Sequence, residues 1–212
     1  MNSNKASAKS RRALAPQRRN GRARVEAVLA AAAAVIAERG YDTATMAEIA
    51  ARAGSPIGSL YRFFPHKESL ADALTQRYTR LVNEAFDALD GQARVASLEQ
   101  IADAILDFKA SLHAETRVMV ALLEGTSGWS AKRRQFHEHT LRRIAQTLTL
   151  GAPALPPAEA RDVAVILLHN MKAMKCLILG GDAPSSPGAA TELRRMNRVY
   201  LRDRLAGFQD NA

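Results

Sequence analysis

From Arg22 onward, apolar side chains return every three or four residues, and glycines, prolines and capping residues break the pattern into segments. That periodicity constrains the fold more than any other feature. Val25, Val28, Leu29, Ala32, Val35 and Ile36 share one helix face, and Gly40 follows where a left-handed residue stops a helix. Thr45 opens a second helix, with Glu48 three residues on to complete a capping box. Met46, Ile49, Ala50 and Ala53 form its buried stripe, and Gly54 ends it. Ser55 is expected to cap a third helix, with Pro56 at the first helical position and Pro65 beyond the end.

A long fourth helix is expected from about Lys67 to Leu89, broken by Asp90-Gly91. Ser97 and Gln100 cap a fifth that runs to about His113, and a shorter one spans Glu115 to Glu124. Further helices are expected over 129–150, 158–179 and 189–205, separated by Gly151 and Pro153, by Pro156-Pro157, and by the 180–188 loop. No strand pattern or internal repeat intervenes. The predicted fold class is all-α, with about nine helices.

Composition narrows the class further. Apolar residues at 47% and charged residues at 24% are the mix of an ordinary globular chain, and 212 residues suffice for a small domain plus a larger one. The longest apolar run, Ala27 to Ala37, is eleven residues between two glutamates. A membrane-spanning helix needs about 20. The single cysteine, Cys176, excludes an internal disulfide framework and suits a reducing compartment; in its apolar helix it reads as core.

The net charge of +9 is concentrated at one end. Residues 1–24 hold eight basic side chains and no acidic one, leaving 22 Lys and Arg against 21 Asp and Glu in the rest. Such a block beside a balanced body reads either as a polyanion-binding arm or as a solvated leader. Ser10-Arg11-Arg12 before an alanine-rich run has the outline of an export signal. Arg18, Arg19, Arg22 and Arg24 between that pair and the run, and the glutamates flanking the run, argue against export.

Residues 45–64 carry the function. Two short helices joined by Ala53-Gly54-Ser55 form a helix-turn-helix, a unit that sets the start of its second helix in the DNA major groove. The run Thr45-Met46-Ala47-Glu48-Ile49-Ala50-Ala51-Arg52-Ala53-Gly54-Ser55 is followed by Ile57-Gly58-Ser59-Leu60-Tyr61-Arg62-Phe63-Phe64-Pro65-His66-Lys67-Glu68-Ser69-Leu70. Together they resemble the DNA-binding domain of the TetR/AcrR family of transcriptional regulators over about 22–81. Residues 83–212 match that family only in helix order and length.

The resemblance implies a role for each motif position. Thr45 bonds a backbone phosphate from the cap of the second helix; Ser55 is a phosphate candidate on a different ground, the unpaired N–H groups and partial positive charge of a helix start. Ile57, Gly58 and Ser59 form the exposed start of the recognition helix: Ile57 meets a thymine methyl, Gly58 lets the backbone approach closely, and Ser59 bonds a base or phosphate. Tyr61 and Lys67 grip phosphate. Arg62, judged from its outward position alone, reads guanine, contacts phosphate or is simply solvated. Leu60 and Phe64 belong to the core. Phe63 stands where Tyr or His is common, and His66 where Asn or Ser often caps the fourth helix. The arm gains meaning beside this motif, since arginines enter narrow minor grooves. Arg22 and Arg24 are its foremost candidates, then Arg18 and Arg19.

The expected organisation is a disordered basic arm over 1–21, a DNA-binding domain over 22–82 and a ligand-binding and dimerisation domain over 83–212. The family resemblance implies a homodimer paired through 158–179 and 189–205, with recognition helices on half-sites about 34 Å apart. It also implies a small-molecule effector. Candidate pocket residues are Phe108, Leu112, Met119, Leu123, Trp129, Phe136, Met171 and Met174, with His113, His169 and Asn170 to orient a ligand.

No catalytic residues, metal site or cofactor are expected. His137 and His139 lie about 200° apart on a helix, and Leu141 takes the place of the second histidine in a His-Glu-x-x-His motif. The reading is a cytoplasmic, nucleoid-associated, dimeric repressor of a double-stranded DNA operator, released by a small apolar or amphipathic ligand. Its rivals are a ligand-independent or activating regulator, and an all-α small-molecule-binding protein or enzyme with an incidental arm.

Overall fold

The computed structural model describes residues 19–124, 130–179 and 186–208. Among these the chain forms nine α-helices and no strand. They are α1 (Arg19–Arg39), α2 (Met46–Arg52), α3 (Ile57–Phe63), α4 (Lys67–Ala93), α5 (Leu98–Ser111), α6 (His113–Glu124), α7 (Ser130–Gly151), α8 (Pro157–Leu179) and α9 (Ala189–Leu205). A 3-10 turn, Ala206–Phe208, follows α9. The described residues divide into two units: one holds the chain up to Arg77 and α6 from Arg117, the other Tyr78–Thr116 and the chain from residue 130. The division falls within α4, where the sequence places a boundary after residue 82. The first unit also takes part of α6, which no local sequence feature signals.

In the first unit the apolar stripe of α1 (Val28, Leu29, Ala32, Val35, Ile36) is buried, as are Met46, Ile49 and Ala50 of α2 and Leu70, Ala71 and Leu74 of α4. Each fully buried side chain of Val, Leu, Ile or Met size contributes about 1.5–3 kcal/mol. Gly40 and Gly54 close α1 and α2 at φ +81 and +58, where a side chain would be strained. Arg77 of α4 reaches Glu26 of α1 at 3.0 Å. The structure corrects the expected arm boundary, because α1 begins at Arg19. No proline stands between Pro16 and the end of α1, and arginine is a good helix former.

The second unit packs α5 against α8 and α9, and α7 against α8. The Phe86 and Phe108 rings lie 4.3 Å apart. A polar seam joins α4 to α7: His139 and Asn83 meet at 2.7 Å, and Arg143 reaches Asp87 at 2.7 Å and Asp90 at 2.9 Å. Asp90 also accepts from Gln146 at 2.8 Å and Thr147 at 2.6 Å. These bonds explain why α4 does not break at Asp90-Gly91 but runs on to Ala93. The Asp90 carboxylate, which favours turns by bonding its own backbone, is taken up by α7 instead. Arg194 and Arg198 of α9 form a second seam with Asp107 and Asp103 of α5, at 2.7 and 3.0 Å.

Cys176 is exposed, not core. It continues a face of α8 carrying Ile166, His169 and Ala173, which its own unit leaves uncovered.

Candidate nucleic-acid interface

Local chemistry sets α2 and α3 at their angle. The Thr45 hydroxyl accepts from the Glu48 N–H at 3.2 Å, while the Thr45 N–H donates to the Glu48 carboxylate at 3.1 Å. The expected capping box is therefore formed. The Thr45 hydroxyl also donates to the Glu48 carboxylate at 2.9 Å; that bond, then the Thr45 N–H, with Arg39 beside them, holds the Glu48 carboxyl below the usual carboxylate range. At the other end of α2 the Ser55 N–H donates to the Ala50 carbonyl at 3.0 Å, folding the chain back through Gly54.

The expected cap on α3 is corrected. Pro56, not Ser55, is its N-cap residue, and no side chain caps the helix. The Ser55 hydroxyl is buried and has no hydrogen-bond partner among the described residues, so it does not cap the α3 amides. Conversely, His66 does cap α4: its Nδ1 accepts from the Ser69 N–H at 3.1 Å, and the Ser69 hydroxyl donates to the His66 carbonyl at 2.6 Å. An imidazole replaces the usual amide or hydroxyl as acceptor.

α3 presents two opposite faces. Leu60, Phe63 and Phe64 are buried, at 0%, 7% and 3% exposure. Burial explains the phenylalanine at 63, which needs no polar tip. Ile57 and Tyr61 are both 46% exposed, and Gly58 and Arg62 lie on the same outer face. Large apolar side chains left open on a short polar-rimmed helix mark a contact surface. A Cβ at Gly58 would meet nothing within 4 Å, so the protein's own packing does not require glycine there.

Cations surround this face unevenly. Arg22 and Arg24 are exposed on α1, and the Arg24 guanidinium lies 3.5 Å from the Ser59 hydroxyl, beside the start of α3. The Arg62 guanidinium lies 5.0 Å from the Phe63 ring centroid. Arg52, by contrast, is held by Glu38. Lys67 is fully engaged within its unit: its ammonium donates to the carbonyls of Tyr41, Asp42 and Ala44 at 2.8, 3.0 and 3.1 Å. It also lies 4.6 Å from the Tyr41 ring centroid. Burial pushes the Tyr41 hydroxyl up to about 12. Arg18 lies outside the described residues, as does the side chain of Arg19.

The candidate effector residues are mostly packed. Phe108, Met171 and Met174 are buried in the second unit and Met119 in the first. Phe136 is half-buried, its ring 5.3 Å from that of Tyr78, and Leu112 is half-buried. Asn170 donates to Asn197 at 2.9 Å, and exposed His169 bonds the Val165 carbonyl of its own helix at 2.8 Å. Trp129 lies outside the described residues, as do the side chains of His113 and Leu123. A groove of about 550 Å³ lies elsewhere in the second unit. Leu89, Val95, Ile101, Gln92, Gln100 and Asp103 are among the residues that line it. Among the described residues no helix is long and apolar enough to cross a membrane, and no three His, Cys, Asp or Glu are grouped to hold a metal ion.

Known proteins match this arrangement over most of its length. Residues 28–74 match the family of bacterial regulatory proteins named for tetR, and residues 95–201 match a tetracyclin repressor-like C-terminal domain. An uncharacterized HTH-type transcriptional regulator of Mycobacterium tuberculosis (strain ATCC 25618 / H37Rv) is 35% identical over 186 residues, covering 82% of this chain and 92% of that protein. Among solved structures, a transcriptional regulator from Aquifex aeolicus VF5 aligns with a TM-score of 0.63 at 18% identity, covering 84% of this chain and 98% of that one. A fatty acid degradation regulator from Bacillus halodurans aligns with a TM-score of 0.60 at 21% identity, covering 84% and 94%. The structural likenesses establish the fold, the sequence matches the kinship: the chain belongs to the TetR family and is a helix-turn-helix, DNA-binding transcriptional regulator.

Proposed function

We propose that the protein is a cytoplasmic repressor that binds a palindromic operator as a homodimer and is released by a small apolar or amphipathic effector. The observation that carries the reading is the two-faced α3, with Leu60 and Phe63 anchoring it while Ile57, Gly58, Tyr61 and Arg62 face outward. In this reading Ile57, Gly58 and Ser59 meet base edges. Thr45, Tyr61 and Arg62 hold the backbone, and Arg22 and Arg24 extend the contact along α1. Ser55 is left out of the contact set because its hydroxyl is buried.

Pairing through α8 and α9 is supported by Ile166, Ile178, Met196 and Val199, each close to half exposed on those helices in the single chain. The effector class is supported by the apolar character of the second unit and by its likeness to the Bacillus halodurans protein, a regulator of fatty acid degradation. The protein acts by binding rather than by catalysis.

Selection of duplexes from a random pool by the purified protein tests this. Enriched inverted repeats with half-site centres about 34 Å apart are expected, with Tyr61→Ala enriching nothing. A pool enriched in sequences lacking two-fold symmetry would overturn the dimeric reading.

A further inference from the structure

Lys67 stands where the family resemblance implies a phosphate grip, yet its geometry leaves no donor for one. An ammonium carries three protons. Here three carbonyl oxygens accept, from Tyr41, Asp42 and Ala44, at 2.8–3.1 Å. Tyr41 and Ala44 are themselves buried, at 3% and 1% exposure, so two of these acceptors have little access to water. The Tyr41 ring lies against the same ammonium, 4.6 Å from its centroid. Lys67 is the first residue of α4, and its partners form the turn between Gly40 and Thr45 that delivers the chain to α2.

We propose that Lys67 is a positioning residue for DNA binding: it ties the start of α4 to the Tyr41–Ala44 turn and so fixes the angle at which Thr45 and α2 carry α3 toward the operator. This role rests on the DNA-binding reading above and deepens it. A buried carbonyl left without its donor is costly, so loss of the ammonium loosens the turn before it touches any contact with DNA. The counter-charge follows the same logic. A cation spent on carbonyls releases no counterion from DNA, whereas a phosphate contact adds about 0.9 to the logarithmic salt slope.

Two measurements on Lys67→Met and Lys67→Arg separate the possibilities. Amide hydrogen exchange of the free protein is expected to quicken about tenfold over Asp42–Ile49 in Lys67→Met, with the second unit unchanged. Unchanged protection there overturns the proposal, whatever the protein does with DNA. Anisotropy titrations against a duplex selected by the wild-type protein, over a salt series below the unfolding temperature, give the second readout. Affinity is expected to fall about tenfold or more in Lys67→Met with the salt slope intact, and Lys67→Arg to recover part of it. A slope lower by about one, or an affinity equal to wild type, overturns the proposal. Failure of the wild-type protein to select any duplex would instead count against the DNA-binding reading, and the exchange result would still decide the role of Lys67.

Discussion

Gly58→Ala separates what α3 needs for folding from what it needs for DNA. Gly58 is the second residue of α3, in ordinary helical backbone, since only Gly40 and Gly54 have positive φ among the described residues. An added Cβ meets nothing within 4 Å, so there is no steric cost within the protein. Alanine in a helix interior is worth about 0.5–1 kcal/mol over glycine, and the lower end applies in a first turn that is only partly hydrogen-bonded. For a chain of this size that gain raises Tm by about 1–2 °C. The same methyl group stands on the outer face between Ile57 and Tyr61, where the helix backbone is to approach the bases. A gap of that kind filled by a methyl is expected to weaken operator binding about tenfold, roughly 1.4 kcal/mol. Thermal unfolding by circular dichroism and anisotropy on the selected duplex measure the two effects separately. A lowered Tm would refute the packing argument; a raised Tm with unchanged affinity would refute the close approach of α3 to DNA.

Three further outcomes follow from particular contacts. His66→Ala is expected to destabilise the first unit by about 1 kcal/mol through loss of the α4 cap, while His66→Asn keeps it; equal denaturation midpoints for the two variants would refute the capping role of His66. Ser55→Ala deletes a buried hydroxyl with no hydrogen-bond partner among the described residues, so stability is expected to hold or rise slightly and operator affinity to stay unchanged; a marked loss of affinity would show that the hydroxyl reaches DNA. His139 is held below the ordinary 6.5 by burial, with Arg142 and Arg143 adding repulsion. The unfolded chain therefore takes up this proton first as pH falls. The stability associated with neutral His139 is complete above about pH 6.5 and declines as pH drops toward the lowered folded value. In His139→Gln that part of the acid-side decline is expected to vanish in pH-dependent denaturation, and an unaltered decline would assign it to other groups.

What could be read from residue order was chiefly local. α9 and the capping boxes at Thr45 and Ser97 follow from helical periodicity and from acceptors three residues from their donors, and these need no tertiary partner. Asp90-Gly91 misleads because a turn-forming pair is overruled by partners 53 to 57 residues away on α7. Ser55 and His66 exchange their expected roles for steric and chemical reasons. Pro56 takes the cap position of α3, and an imidazole nitrogen serves as well as an amide oxygen at the start of α4. The outer face of α3 was legible because the motif and the spacing of Leu60, Phe63 and Phe64 agree on which side is buried. Lys67 was not, since a lysine bound to carbonyls and one reserved for phosphate look the same in a sequence. The effector site was least legible, because pocket linings and cores draw on the same residues, and Phe108, Met171 and Met174 are buried.

The most direct test of the central claim is an anisotropy titration of the wild-type protein and Tyr61→Ala. Each is titrated against the duplex selected by the wild-type protein and a scrambled duplex at two salt concentrations. Tight, steeply salt-dependent binding of the wild-type protein to the selected duplex is predicted, with weak binding to the scrambled one and loss of the difference in Tyr61→Ala. Equal affinity of the wild-type protein for both duplexes, or a preference that survives in Tyr61→Ala, would contradict the claim.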